Sequence, residues 1–427
     1  MGGCCEKSRG TAAVRVGWDE LGGAELEPVL LSGAIALLDA HWLIRLAGAG
    51  GVPHPRQCLP PEAFLSADEV ATSAIRGLPI VCVSHAWCTP HHPDPDGESL
   101  RALARTLKLL EAQSSQHCSP CRHAVFYDFC SLHQRCRDSG GEPLLAGGSG
   151  WYPSEEALHR RALCHISALY SHPQTWVFLL NTKASAETFL SRGWCYCEAL
   201  WAMSGKRPGM VLDISRDSGA AADWFDFVDE CRTLSCRAAP VTPDVFAAQL
   251  EEKCFSHGED RPLVARLYRI GFEARFAGLT RLEYHGLGWG AAEAKTLAAT
   301  LASGAAPRLR FLSLDGNVLG CAGTASIAEA MPWVPLQELR LGANCIRDDG
   351  AKALAAALPK ALSLTRLYLG ANAIGDDGAM TLAAALLQAA SLQELYIDLD
   401  LAHAPGALAL QSACTAHGVC LRRRLRE

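Results

Sequence analysis

Apolar positions in the last third of the chain recur with a long period. Leucines open successive blocks at Leu279, Leu309, Leu336, Leu364 and Leu392, at intervals of 30, 27, 28 and 28 residues. The two clearest blocks read Leu336-Gln-Glu-Leu-Arg-Leu-Gly-Ala-Asn344-Cys-Ile-Arg-Asp-Asp-Gly350 and Leu364-Thr-Arg-Leu-Tyr-Leu-Gly-Ala-Asn372-Ala-Ile-Gly-Asp-Asp-Gly378. Leu336, Leu339 and Leu341 point inward from a short strand, as do Leu364, Leu367 and Leu369, while Leu354–Leu358 and Leu382–Leu386 centre a helix in each block. A strand and a helix every block, stacked on the next, make a short solenoid. Asn317, Asn344 and Asn372 stand where the chain leaves each strand, so their amides can satisfy backbone groups of neighbouring turns. Asp348/Asp349 and Asp376/Asp377 are expected to cap the helices that follow them. The terminal blocks decay, with Leu287 and Asp400 in place of the asparagine, as capping units do.

The first two-thirds alternates short apolar runs with helical periodicity. Leu78–Ser84, Ala124–Asp128, Thr175–Leu180 and Met210–Ile214 read as strands. Leu100, Leu103, Leu107 and Leu110 mark one helix face, Leu158, Ala162, Ile166 and Leu169 a second, and Trp224 to Val228 a third. Strands alternating with helices predict an α/β domain with a parallel sheet covered on both faces. The apolar run Val29 to Leu46 is interrupted by Asp39, His41 and Arg45, which predicts a buried helix and no membrane span. The expected organisation is a terminal segment 1–10, a helical lead-in 11–75, an α/β domain 76–235, a helical connector 236–278 and the repeats 279–427.

One stretch of the α/β domain carries the chemistry. In Ser191-Arg-Gly-Trp-Cys-Tyr-Cys-Glu198-Ala-Leu-Trp201, residues 194, 198 and 201 share a helix face, so Glu198 lies between two indoles. An unpaired buried carboxylate is costly. Glu198 therefore either pairs with an arginine such as Arg192 or Arg207, or lines a pocket. Trp194-Cys195-x-x-Glu198 after an apolar strand resembles the signature of Toll/interleukin-1-receptor (TIR) domains, and the strand–helix order over residues 76 to 235 is similar to theirs. The resemblance implies a TIR-like parallel sheet with flanking helices. It also implies either NAD cleavage with Glu198 as the catalytic residue, or a non-enzymatic fold that self-associates to signal. Around Glu198 it places Ser84, His85 and Trp87 at the end of the first strand, Asp128 at the end of the second, and Trp194 as substrate-binding residues. The Pro93–Gly97 insertion and the Gly/Pro-rich stretch from Cys130 to Pro153 depart from the family pattern.

The repeats resemble leucine-rich repeats of the ribonuclease-inhibitor type, also found in intracellular immune receptors. Exposed strand positions would be Gln337, Glu338 and Arg340, then Thr365, Arg366 and Tyr368, then Gln393, Glu394 and Tyr396. This mixed-charge face suits a protein partner on the concave side, with Arg340, Arg366, Tyr368 and Tyr396 as contacts. The chain then reads as a signalling or defence-type protein whose repeats bind a partner and whose α/β domain responds. The alternative is an adaptor that only binds.

Composition narrows this little further. Of the 427 residues 49% are hydrophobic and 20% charged, which describes a globular chain. A formal charge of -6 gives no reason to expect nucleic acid. Nineteen scattered cysteines without a secretory signal fit a reduced, cytoplasmic setting. Gly2 permits N-myristoylation, and Cys4 and Cys5 beside it permit palmitoylation; two acyl chains would hold the protein on the cytoplasmic face of a membrane, although Glu6 departs from the acceptor pattern. No cofactor is expected beyond NAD as a substrate. No metal is expected either, because Cys118-Ser-Pro-Cys121 has no second pair at zinc spacing.

Overall fold

The computed structural model describes residues 24–76, 79–89, 91–115, 122–135, 151–181, 189–232, 237–256, 258–398 and 405–422. The chain divides into two compact units, Met1–Thr233 with Phe246–Gly271, and Leu234–Val245 with Phe272–Glu427. Residues 236–278 therefore contribute to both.

The first unit is built on a five-stranded sheet in the order β1-β3-β2-β4-β5. Its strands are β1 (Leu38–Asp39), β2 (Ile80–His85), β3 (Ala124–Tyr127), β4 (Trp176–Leu180) and β5 (Val211–Asp213). The four long-expected strands run parallel, whereas β1 pairs antiparallel with β3 through Leu38↔Val125 and Asp39↔Ala124. The sheet is thus mixed, not parallel throughout, and the edge strand comes from the stretch expected as a helical lead-in. The run Val29–Leu46 is not one helix. Gly33 at φ 71° follows Ala24–Leu31, and Asp39 N-caps the helix Ala40–Gly48 by accepting from the Trp42 N–H at 3.0 Å. The helix expected through Leu158 and Leu169 is likewise two, Pro153–Leu163 and Ile166–Ser171, separated at Cys164 and His165.

All six residues of β2 are buried, which is why its sequence reads as a continuous apolar run. Alternation sends Val81 and Val83 to one face, where they pack with Leu100, Leu103 and Leu107 of the helix Glu98–Ser115 and with Trp224 and Phe227 of Trp224–Cys231. Cys82 and Ser84 face the other side. There the Cys82 thiol lies 3.6 Å from the Leu169 carbonyl, and Phe126 meets Tyr170 edge to face. Because β3 and β4 flank β2 on opposite sides, the chain reverses direction between β2 and β4. In doubly wound sheets the crevice beyond the carboxyl ends at that point is where ligands bind.

The second unit carries a parallel six-stranded sheet, β11-β10-β9-β8-β7-β6. It runs from β6 (Arg281–Glu283) through β7 (Phe311–Ser313), β8 (Glu338–Arg340), β9 (Arg366–Tyr368) and β10 (Glu394–Tyr396) to β11 (Cys420–Arg422). The middle leucines Leu282, Leu312, Leu339, Leu367 and Leu395 are buried, and in-register pairing stacks them. β11 is a strand that the leucine period does not announce.

The asparagines form a buried ladder. Asn317 donates to the Tyr284 and Leu314 carbonyls at 2.7 and 2.8 Å, and its Oδ1 accepts from the Leu287 and Trp289 N–H groups. Asn344 donates to Leu314 and Gly342, and Asn372 to Leu341 and Leu369, all at 2.8–2.9 Å. The aspartates act one repeat further on than expected. Asp348 Oδ1 accepts from the Gly375 and Gly378 N–H groups at 2.7 and 3.1 Å, capping the next helix, Asp376–Leu386. Asp376 does the same for Gly406 at 3.0 Å. Each cap therefore also ties two repeats together.

Asn344→Ala removes two amide hydrogen bonds inside the solenoid, to the Leu314 and Gly342 carbonyls, which keep the Asn317 amide and the Gly316 N–H as their other donors, and should cost about 1–3 kcal/mol. Urea unfolding followed by circular dichroism reads this as a lower midpoint at an unchanged m value. A loss below roughly 0.5 kcal/mol would show that the amide ladder does not hold the repeats.

Candidate functional site

Glu198 lies on the helix Gly193–Met203, which packs on the Ser84 side of the sheet. The first turn of this helix is crowded: a Cβ at Gly193 would fall within 1.9 Å of the Phe255 ring, so only glycine admits that close approach. The Gly193 N–H donates to the Cys254 carbonyl at 3.0 Å, holding the same segment in place. On the outer side Tyr196 stacks on Phe246 at 5.5 Å and donates to Gln249 at 2.5 Å.

Glu198 is 8% exposed as a residue, and its carboxyl takes the Ser84 hydroxyl on Oε2 at 2.5 Å. Neither Arg192 nor Arg207 holds it, and among the described residues no arginine acts on its charge. Burial, reinforced by the nearby charge of Asp128, pushes its pKa up to about 8, while Ser84 and Tyr170 pull the other way. At neutral pH Glu198 is therefore a carboxylic acid, able to donate a hydrogen bond or a proton. It becomes a carboxylate stabiliser of positive charge only if a cation is brought beside it. Tyr170 donates to the Val83 carbonyl at 3.0 Å and stacks against Trp201, closing the inner side of this group.

His85, Trp87 and Asp128 assemble separately. Ser84 and His85 are neighbours on β2, so their side chains leave opposite faces of the sheet. His85 Nδ1 stands 3.7 Å from Asp128 Oδ1, and Trp87 Nε1 donates to Asp128 Oδ2 at 3.2 Å. His85 packs edge-on against Tyr127 at 4.6 Å. Burial lowers the His85 pKa despite Asp128, so the ring is neutral, and its Nε2 has no partner among the described residues. Asp128 connects the two groups electrostatically, since its charge acts on both Glu198 and His85. Trp194 turns elsewhere: its indole N–H donates to Asp260 at 3.0 Å. Asn181, directly after β4, was not singled out from the sequence, yet its Oδ1 is buried without a partner among the described residues. With His85 Nε2 it places orphaned polar atoms at the carboxyl ends of both strands flanking the switch point.

Cys130, Ser131 and His133 do not form a nucleophile–base set. Cys130 Sγ contacts the His54 carbonyl, Ser131 accepts from the Tyr127 N–H, and His133 lies 3.5 Å from Glu155. Among the described residues no histidine, cysteine and carboxylate cluster suits a metal, and all the cysteines are free thiols. Gly2, Cys4, Cys5, Cys118 and Cys121 lie outside the described residues. No described helix is long and apolar enough to cross a membrane.

On the repeat sheet Arg340, Arg366, Tyr368 and Tyr396 stand together on one face. Tyr368 and Tyr396 stack at 4.1 Å, and Arg340 lies over Tyr368 at 4.6 Å. Glu338, expected to be exposed, is instead 7% exposed, covered by Arg340 and Arg366, which donate to its two oxygens at 2.6 and 2.8 Å. Burial tends to raise its pKa, but these two arginines outweigh that and hold it below the ordinary value.

A folded-state pKa raised to about 8 means that Glu198 favours the fold below its unfolded pKa and loses that contribution as pH rises to 8. The wild type should lose stability relative to Glu198→Gln by about 1.4 kcal/mol per pH unit across that window, with no further divergence above it. Parallel denaturation curves at several pH values test this; superimposable pH profiles for the two proteins would refute it.

Against known proteins, the family described as Leucine Rich repeat matches residues 335–355 and 360–383. No curated protein matches the chain. The C-terminal region is thus made of leucine-rich repeats, and it follows an α/β domain with a mixed five-stranded sheet.

Proposed function

We propose that this is a signalling or defence-type recognition protein in which the leucine-rich repeats bind a protein partner and a TIR-like α/β domain serves as effector. The observation that carries this reading is the contrast between the two candidate sites. The repeat face presents ordered arginines and tyrosines to solvent, whereas Glu198 is 8% exposed and hydrogen-bonded to Ser84. The strand order with β2 between β3 and β4, and the helix that carries Glu198 after β4, support the TIR-like reading of the first domain.

Cleavage of NAD is the second reading, favoured by an acidic side chain without an arginine at the sheet's switch point. In that reaction the nicotinamide leaves with the electrons of its bond to ribose, water adds to the ribose carbon, and one proton is released. The cationic ring would lower the Glu198 pKa on binding, converting the acid into the carboxylate that stabilises the oxocarbenium-like centre. Ser84 would have to release Glu198 for substrate, and His85, Trp87 and Asp128 would serve from the far side of β2.

Proximity labelling in cells separates partner binding from its absence. Neighbours labelled by the wild type should be lost with Tyr368→Ala plus Arg366→Ala, and identical sets would end the partner-binding reading. Incubating the purified protein with NAD tests the second reading. Nicotinamide release should fall at least ~100-fold with Glu198→Ala. An absence of release, even after forced clustering, leaves the non-enzymatic adaptor.

A further inference from the structure

The outward side chains of the repeat sheet form one continuous stack across all six strands. The Arg281 guanidinium lies 3.5 Å from the Phe311 ring centre, and Arg340 lies 5.4 Å from the same ring and 4.6 Å from Tyr368. Tyr368 and Tyr396 are parallel within 12°, and Arg422 closes the row 5.7 Å from Tyr396. Phe311 is left 8% exposed beneath its guanidinium groups.

The charges in this stack are layered. Glu283 holds Arg281 through Nε at 2.7 Å, and Glu338 holds Arg340 through Nε at 2.6 Å and Arg366 at 2.8 Å. The Glu338 side chain is 9% exposed, whereas Arg281, Arg340 and Arg366 are 55%, 40% and 42% exposed. Carboxylates therefore lie beneath and guanidinium edges outward. Glu338 serves two arginines, and Glu394, in register with Arg366, accepts from the Tyr396 hydroxyl at 3.0 Å, so Arg281, Arg340, Arg366 and Arg422 stand on this face beside the carboxylates of Glu283, Glu338 and Glu394. At the strand exits Asp315 accepts from the Gly342 N–H while its charge also acts on Arg340, and Asp398 accepts from the Ala371 N–H.

An arginine fixed by an aromatic face on one side and a carboxylate at Nε has already lost its rotamer freedom. Its terminal N–H pair keeps the fork geometry that accepts a carboxylate through two bonds. The Arg281 and Arg340 guanidinium groups share the Phe311 ring, 3.5 and 5.4 Å from its centre, so they stand no more than about 9 Å apart. That separation suits successive acidic side chains of an extended segment crossing the strands.

We propose that this face docks an acidic segment of a partner protein. Its carboxylates take the outward edges of Arg281, Arg340 and Arg366, and its intervening side chains pack along Tyr368 and Tyr396. The inference rests on the protein-binding reading of the repeats and adds the chemistry of the partner.

The test uses the full chain and three labelled peptides of equal length, identical except that their variable positions are Glu, Gln or Lys, followed by fluorescence anisotropy. The Glu peptide should bind at least ~10-fold more tightly than the Gln peptide and weaken as salt rises. Arg340→Glu should abolish that preference, and Arg340→Lys, which keeps the charge but not the fork, should retain only part of it. Arg160→Glu, at an exposed site in the other unit, should bind as the wild type does. Equal binding of the Glu and Gln peptides, or preference for Lys, overturns the acidic-segment proposal and leaves partner binding standing. Binding of none of the three, by a chain with an unaltered circular dichroism spectrum, overturns both.

Discussion

A carboxyl group packed between a sheet and a helix must find a cation or give up its charge, and Glu198 gives up its charge. That single constraint organises the first unit. The Ser84 hydroxyl is committed to Glu198, Tyr170 and Trp201 close the inner wall, and Phe255 lies on the first helical turn where Gly193 admits it. Each of these contacts exists because β2 is the central strand and its carboxyl end faces the helix that follows β4. The polar residues at that edge are divided between two faces of one strand, with Asp128 acting on both groups.

The second unit solves the opposite problem. A row of short strands has to hold charged side chains on an open face without letting them collapse or wander. It does so by burying Glu338 under two arginines and stacking guanidinium groups on rings, so that order is supplied by neighbouring repeats. The asparagine ladder and the displaced caps from Asp348 and Asp376 keep the strands in register, and the register in turn keeps the stack continuous.

Much of this was legible in the sequence where one residue's role is local or periodic. The leucine period located the repeats, and the asparagines announced the ladder. The apolar runs at 124–128 and 175–180 located two strands within a residue of their observed bounds. Ser84, His85, Trp87, Asp128 and Glu198 do meet at the carboxyl edge of the sheet, although not in one group. What stayed hidden depends on partners distant in the chain. A two-residue strand such as Leu38–Asp39 has no period of its own and exists only because β3 offers an edge. Cys420–Arg422 carries one leucine between polar residues, so only pairing with β10 makes it a strand. Alternation placed Glu338 outward correctly, but burial by the arginines above it follows from the next repeat and not from its own strand.

The central claim is that the Glu198 carboxyl is protonated at neutral pH inside the folded domain. Infrared difference spectroscopy between the wild type and Glu198→Gln across a pH series observes that proton directly, through the carbonyl stretch of the acid. A protonated-carboxyl band that persists at neutral pH and disappears around pH 8 is the expected result. A band already gone near the ordinary glutamate pKa of about 4.3 would contradict the account.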